Sequence, residues 1–224
     1  MKSVDLHGVI NVLTNNRGCK HFPMSKLITS GNTKVPSTTA IFNMSPASCC
    51  PSLKLGLCKA YAPNGKHVCY ALKGERSYQP EVLPYRIKQM NFWKNITAEE
   101  FFFQFICIND QKAYKGKPWD KLRFNESGDF HSQECVDKAD KIASYLSRYG
   151  IKTYCYTHRS DLDFSRVRHL IISGSNFEKS GITNTFRMVE DISEKPKGWS
   201  VCSGDCRICD KCSKRGNKIV IKRH

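Results

Sequence analysis

The sequence has no long apolar segment and no recognisable export signal. None of its apolar runs approaches the roughly 20 residues that a membrane-spanning helix requires. The first residues, MKSVDLHGVINVL, lack the long apolar stretch and the small-residue cleavage site of a secretory signal peptide. We therefore expect a soluble intracellular protein with no membrane partner.

Internal repeats and low-complexity linkers are also lacking. The chain has 224 residues, of which 40% are hydrophobic and 11% aromatic, and this composition favours one folded domain of ordinary size. We expect a single domain over 1–224. Within it we assign an α/β core to 32–200, with an early cysteine loop at 49–71, and a C-terminal cysteine loop to 201–216.

Acidic side chains are few relative to basic ones. The chain has 36 Lys and Arg against 20 Asp and Glu, which gives a net charge of +16. Such a surplus favours a polyanionic partner such as nucleic acid, although a solvated basic surface explains it equally simply. Since no standard nucleic-acid-binding motif accompanies the charge, we expect at most weak, non-specific binding. The candidate contacts are Lys211, Lys214, Arg215, Lys218, Lys222 and Arg223.

The middle of the chain has the periodicity of helices. Residues 84–95 form one predicted helix, and 98–114 form another, preceded by a capping box between Thr97 and Glu100. A third helix, QECVDKADKIASYLSRYG, begins after Ser132, has one apolar stripe and ends at Gly150.

Short strands alternate with these helices. KLRF, IKTYCYTH and HLIISGS read as strands, and DFSRVRHL between the last two as a short helix or turn. This order is typical of a parallel sheet with right-handed crossovers, so we predict an α/β fold with a partial or small (β/α) barrel-like sheet and cysteine-rich metal-binding loops. Functional groups gather at the carboxyl ends of such strands. Those ends carry Asn125, Glu126, Asp129, Thr157, His158, Arg159, Ser173 and Asn176.

Four of the 12 cysteines lie within eleven residues near the C-terminus. Cys202, Cys206, Cys209 and Cys212 have the spacing C-x3-C-x2-C-x2-C. Without an export signal, metal binding is favoured over a disulfide framework. The compact spacing resembles that around a ferredoxin 4Fe–4S cluster, whereas structural zinc sites usually separate two C-x2-C pairs by a longer insert. We therefore expect an iron–sulfur cluster here, with zinc as the alternative.

A second cysteine set lies earlier and is more widely spaced. Cys50, Cys58 and Cys69 occupy a segment interrupted by proline and glycine, which indicates a loop. They are candidates for a second cluster or for a contribution to the same one, and buried structural thiols are the alternative. No chemistry is expected of Cys19, Cys107, Cys135 and Cys155; burial of small hydrophobic side chains explains the last three.

Several short motifs across 32–212 occur together with these cysteines. They are Asn32-Thr33-Lys34, Cys50-Pro51, Cys69-Tyr70-Ala71, Arg123, Gly128-Asp129-Phe130 and Tyr156-Thr157. This set resembles the bacteriophage gene-product-88 family, which is similar to other small phage proteins with radical-SAM-like cysteine features. The resemblance implies a virus-encoded protein that works in the cytoplasm of a bacterial host.

Comparison with radical SAM enzymes leaves three functions open. Those enzymes place C-x3-C-x2-C after the first barrel strand and leave one iron open for S-adenosylmethionine. Here that spacing occurs at Cys202, Cys206 and Cys209, where Cys212 could occupy the fourth position. We expect an iron–sulfur protein whose cluster is structural or redox-active. The alternatives are a radical-SAM-like enzyme on a reduced barrel and a zinc-bearing nucleic-acid-binding protein, so whether the protein is an enzyme stays open.

Overall fold

The computed structural model describes residues 23–58, 69–77 and 80–222. Within these ranges the chain forms eight strands and five α-helices. The strands are β1 (Thr29–Ser30), β2 (Thr39–Phe42), β3 (Lys121–Phe124), β4 (Lys152–Thr157), β5 (Ile171–Ser175), β6 (Asn184–Val189), β7 (Ser200–Val201) and β8 (Lys218–Lys222). The helices are α1 (Pro51–Lys54), α2 (Tyr70–Ser77), α3 (Val82–Asn95), α4 (Ala98–Tyr114) and α5 (Gln133–Ser147).

All eight strands belong to one open sheet. Their order is β1-β2-β3-β4-β5-β6-β8-β7. Every neighbouring pair is parallel except β1 and β2, which are antiparallel. The predicted α/β class with a parallel sheet is therefore confirmed, and the sheet is not closed into a barrel. Sequence periodicity predicted β3, β4 and β5 and did not predict the other five.

Three of the five described helices, α3 to α5, begin close to where local sequence signals predict them, and α5 ends at Ser147, before the expected Gly150. The expected loop at 49–71 is wrong in part, because α1 and the first residues of α2 lie in it. Thr97 accepts a hydrogen bond from the N–H of Glu100 and its own N–H donates to that carboxylate, so the predicted capping box precedes α4. α3 begins two residues before the expected 84–95, and α5 begins after Ser132 as predicted. The segment between β4 and β5 contains turns and no helix.

The apolar core lies on one face of the sheet. Phe42 of β2 is paired in register with Phe124 of β3, and both pack against Trp93 of α3 and Phe101 of α4. All four side chains are fully buried. Because side chains alternate along a strand, Arg123 points to the opposite face. In the described part of the chain, no helix is both long and apolar enough to cross a membrane.

Candidate cysteine sites

The C-terminal cysteines lie in the connection between β7 and β8. The N–H of Cys202 donates to the carbonyl of Val220 at 2.7 Å, and the N–H of Cys206 donates to the carbonyl of Lys34 at 2.8 Å. The side-chain amide of Asn184, the first residue of β6, donates to the carbonyls of Cys212 and Lys214. These bonds fix both ends of the connection to the sheet and its middle to the turn before β2.

The four thiols of this connection are electrostatic neighbours. Burial is the main cause that raises the pKa of Cys212 to about 11, and Cys202, Cys206 and Cys209 raise it further. Burial likewise raises the pKa of Cys206, with Cys202 and Cys209 contributing. Negative charge on one of these thiols disfavours ionisation of its neighbours. A cation bound between them would relieve this repulsion.

Several groups that favour anionic sulfur surround these thiols. The Tyr156 hydroxyl is hydrogen-bonded to the Cys212 sulfur, and the N–H of Gly204 donates to Cys202 Sγ at 3.4 Å. The Arg123 guanidinium opposes the rise in the pKa of Cys206. Its Nε is buried and has no hydrogen-bond partner among the described residues. Arg123 and Tyr156 are thus positioned to balance negative charge on this cysteine group.

The sulfurs of the four C-terminal cysteines are not arranged around a common metal position. Within the described ranges, no group of three or more His, Cys, Asp or Glu side chains is placed to hold a metal ion. The donors nevertheless fit an iron–sulfur cluster in chemistry, since all four are thiols with N–H, O–H and cationic partners beside them. Side-chain rotation within the connection would have to bring the sulfurs onto one centre.

The early cysteines follow β2, the first parallel strand. Cys50 is the N-cap residue of α1, with Pro51 at the first helical position, and the N–H of Cys58 donates to the carbonyl of Ser52 at 3.0 Å. Burial, assisted by Asp129, raises the pKa of Cys50 to about 12. Burial and the neighbouring Cys69 raise the pKa of Cys58 to about 11. Cys58 therefore interacts electrostatically with both Cys50 and Cys69. Residues 59–68 lie outside the described residues.

Asp129 joins the early cysteine segment to the ends of β3 and β4. Its carboxylate accepts hydrogen bonds from Ser52 Oγ at 2.6 Å and from Thr157 Oγ1 at 2.7 Å. It also accepts from the backbone N–H groups of His158 and Phe130, both at 2.8 Å. Because the side chain is buried and both of its oxygens accept hydrogen bonds, Asp129 holds this edge together.

Glu75 supports the same segment from α2. One carboxylate oxygen accepts from the N–H of Ala47 at 2.6 Å and the other from the N–H of Ser48 at 3.1 Å, immediately before the cysteine pair. Arg86 of α3 forms an ion pair with Glu75 at 2.9 Å, and both residues are buried. Burial opposes ionisation of Glu75, but the Ala47 N–H, Arg86 and the Ser48 N–H together lower its pKa.

Tyr70 and Arg123 connect the two cysteine groups. The Tyr70 hydroxyl donates to the carbonyl of Glu126 at 2.6 Å and accepts from Arg123 at 3.4 Å. Tyr70 follows Cys69 directly, and Arg123 acts on Cys206. A short path of polar side chains therefore leads from one thiol group to the other.

The remaining strand-end residues have mostly structural roles. Asn125 and Asn176 adopt left-handed backbone conformations, and their side-chain oxygens accept from the N–H groups of Met44 and Met188. Arg159 is paired with Asp161 at 2.8 Å, and Glu126 accepts from the Asn32 side chain.

Two further side chains, His158 and Ser173, have features that chemistry could use. Burial lowers the pKa of His158 against the opposing effect of Asp129, so its imidazole is neutral at pH 7. The Ser173 hydroxyl is buried and has no hydrogen-bond partner among the described residues. Sequence reasoning did not anticipate Ser52 or Glu75 as part of these sites, because their role depends on contacts between distant segments.

Comparison with known proteins gives one match. The model of the family described as gene product 88 matches residues 15–177, more than half of the chain. No curated protein and no solved structure matches.

Proposed function

Since the chain belongs to the bacteriophage gene product 88 family, whose description states no activity, we propose from its two cysteine groups that it is a virus-encoded iron–sulfur protein. The C-terminal group, Cys202, Cys206, Cys209 and Cys212, would hold a 4Fe–4S cluster. The site of action would be the cytoplasm of the bacterial host, where thiols stay reduced.

One observation carries this proposal: four free thiols in one short connection are neighbours beside Arg123 and Tyr156. Four thiolates occupy every external position of a cubane cluster, which suits a structural or electron-transfer role. When bound, the cluster supplies one-electron redox chemistry. The protein contributes the N–H and O–H donors and the guanidinium, which set how much negative charge the site tolerates.

Zinc is the alternative metal for the same four residues. Tetrahedral zinc sites with four cysteine ligands use the same ligand type, and a zinc-bearing nucleic-acid-binding protein would also account for the basic charge. The compact spacing favours iron–sulfur over zinc. In addition, three of the candidate contacts are already paired: Lys214 with Asp210, Lys218 with Glu178 and Lys222 with Asp191. Arg223 lies outside the described residues.

A second candidate function is a radical-SAM-like enzyme, and the position of the early cysteines favours it. Cys50, Cys58 and Cys69 follow the first parallel strand, where such enzymes keep three cluster ligands. Three thiols leave one iron of a cubane open to a substrate. His158 follows β4 directly at this edge of the sheet, and Ser173 lies in the middle of β5. The spacing of the three cysteines is wider than in those enzymes.

Anaerobic purification from iron-replete cells tests the main proposal. The protein should be brown and contain iron and acid-labile sulfide in equal amounts. Cys206→Ser and Cys209→Ser should each lower iron content and stability together, because ligand binding contributes to folding free energy. Cys49→Ser, a half-buried cysteine outside both groups, should leave the iron content unchanged. Stoichiometric zinc without iron would contradict the proposal and favour the zinc protein.

The early cysteines are tested separately. If they hold a second cluster, Cys58→Ser and Cys69→Ser should remove about half of the iron and leave the remainder to the C-terminal group. Reductive cleavage of S-adenosylmethionine by the wild type and not by these variants would establish the enzyme function. Full iron content in both variants would restrict metal binding to the C-terminal group.

A further inference from the structure

Cys135 lies outside both cysteine groups, in the first turn of α5. It is the third residue of a fifteen-residue helix, where unpaired backbone N–H groups and the helix dipole favour negative charge. Ser132, the N-cap residue, makes no side-chain hydrogen bond to the backbone of this turn. Its hydroxyl donates instead to Cys135 Sγ at 3.8 Å. The thiol is half-buried, so small molecules can reach it.

Two buried nitrogen groups beside Cys135 lack other partners. The Trp93 side chain is fully buried, and its Nε1 has no hydrogen-bond partner among the described residues. Both ring nitrogens of His131 are also buried and have no hydrogen-bond partner among the described residues. Both side chains lie beside the Cys135 sulfur and favour its ionised form. An unpaired buried donor is energetically costly, so a negatively charged sulfur beside it would offset an otherwise unfavourable arrangement.

The surrounding charges also favour the ionised form of Cys135. Lys138, one turn further along α5, interacts electrostatically with Cys135 and is fixed by donating to the carbonyls of Trp93 and Ile96 at 2.6 and 2.9 Å. The nearest carboxylate along the helix, that of Glu134, is exposed and interacts with Ser132. Burial raises the pKa of Cys135, but the neighbouring His131, Trp93 and Ser132 side chains outweigh this effect and lower the pKa to about 6.

We propose that Cys135 is a thiolate nucleophile and a modification site for small, uncharged electrophiles, with hydroperoxides as its substrate class. The thiolate sulfur attacks one oxygen of hydrogen peroxide, an S–O bond forms and the O–O bond breaks. The cysteine is oxidised to a sulfenic acid and the peroxide is reduced. The leaving hydroxide takes a proton from solvent and departs as water. This site does not depend on either cysteine group binding metal.

Alkylation of the full chain with a neutral reagent, followed by peptide mapping, tests the ionisation of Cys135. A thiol of pKa about 6 is half ionised at pH 6, so its rate should rise only about twofold between pH 6 and pH 9. An ordinary thiol of pKa about 8.5 should rise about 200-fold over that interval. Limited access slows both rates and leaves these ratios unchanged. A rise of more than about thirtyfold at Cys135 would overturn the proposal.

A variant and a trapping reaction complete the test. His131→Gln removes the imidazole that favours the ionised sulfur, so the pH profile should steepen and the rate at pH 6 should fall at least about threefold, which loss of packing alone would not produce. Peroxide treatment followed by dimedone should label Cys135 in the wild type and leave the buried Cys107 unlabelled. Absence of the dimedone adduct at Cys135 under conditions that label another cysteine would also overturn the proposal. If His131→Gln does not fold, the wild-type profile and the dimedone result decide the matter.

Discussion

A Cβ atom on Gly128 would lie 2.1 Å from Ser45 Oγ and 2.5 Å from the Ser45 carbonyl oxygen. Gly128 also has a φ of 78°, in the region that favours glycine. This close approach brings the loop after β3 against the loop after β2. It therefore places Asp129 within hydrogen-bonding distance of Ser52 beside the early cysteines.

Substituting Gly128 with alanine should be strongly destabilising, by about 3 kcal/mol or more, since backbone strain and steric overlap add. Gly150→Ala is the matched control because Gly150 has a φ of 72° and open space around its Cα. That variant should be destabilised by backbone strain alone, about 1–2 kcal/mol. Urea unfolding measures both, and equal losses would show that the contact with Ser45 is unimportant.

The buried Glu75–Arg86 pair should contribute more to stability than an exposed pair. Glu75→Gln leaves the Arg86 charge buried without its partner, so we expect a loss of about 3 kcal/mol at pH 7. The control is Glu99→Gln, which removes the half-exposed partner of Lys141 and should cost less than about 1 kcal/mol. Similar losses in the two variants would contradict a special role for Glu75.

The contribution of Glu75 should depend on pH in a defined direction. Its pKa is lowered in the folded protein, so its stabilising effect is complete above the unfolded value of about 4.3 and is lost as the pH falls through the folded pKa. The difference in unfolding free energy between wild type and Glu75→Gln should therefore be constant above about pH 5 and shrink below pH 4. A difference that grew on acidification would exclude this mechanism.

Arg123 should tune the proposed C-terminal cluster rather than hold it. Its positive charge favours added electrons, so Arg123→Gln should lower the reduction potential of the cluster while the iron content stays near that of the wild type. Arg123→Lys retains the charge and should shift the potential less. Protein-film voltammetry would measure the potentials. An unchanged potential in Arg123→Gln would place the cluster away from this residue.

Nucleic acid should bind weakly and without sequence preference. We expect a dissociation constant of about 10⁻⁴–10⁻⁶ M at physiological salt, which weakens steeply as salt rises because phosphate contacts release counterions. Pairing of Lys214, Lys218 and Lys222 with carboxylates reduces the charge available for such contacts. Sequence-selective nanomolar binding in a fluorescence titration would instead promote the zinc-bearing nucleic-acid-binding protein.

Local sequence signals predicted the three long helices, α3 to α5, and missed the short α1 and α2. The capping box at Thr97 and the apolar stripe of α5 are encoded within a few residues, so they can be read without tertiary contacts. The strands β1 and β7 have two residues each, which is too short for any periodic pattern. β2 is buried on both faces and lies in a stretch rich in Ser, Thr and Asn, so it shows no alternation.

The sequence predicted which cysteines belong to each group, but it did not predict the residues that surround them in the fold. Cysteine spacing identified both groups, but the contact between Cys206 and Arg123 joins residues far apart in the chain. The sequence also predicted that Cys135 is a buried hydrophobic residue without chemistry. The structure shows it half-buried beside His131 and Trp93 instead. Trp93 lies on a different helix, so no local pattern could have indicated it.

The insertion of β8 between β6 and β7 has a consequence for the order of assembly during translation. β2 to β6 can each pair with a strand that the ribosome has already made. The C-terminal cysteines, however, are synthesised before β8, the strand that fixes Cys202 to the sheet through Val220. For that interval the Cys202 end of the cysteine segment lacks its anchor. Delivery of a cofactor to the nascent chain would therefore meet these residues while they are still free to rearrange.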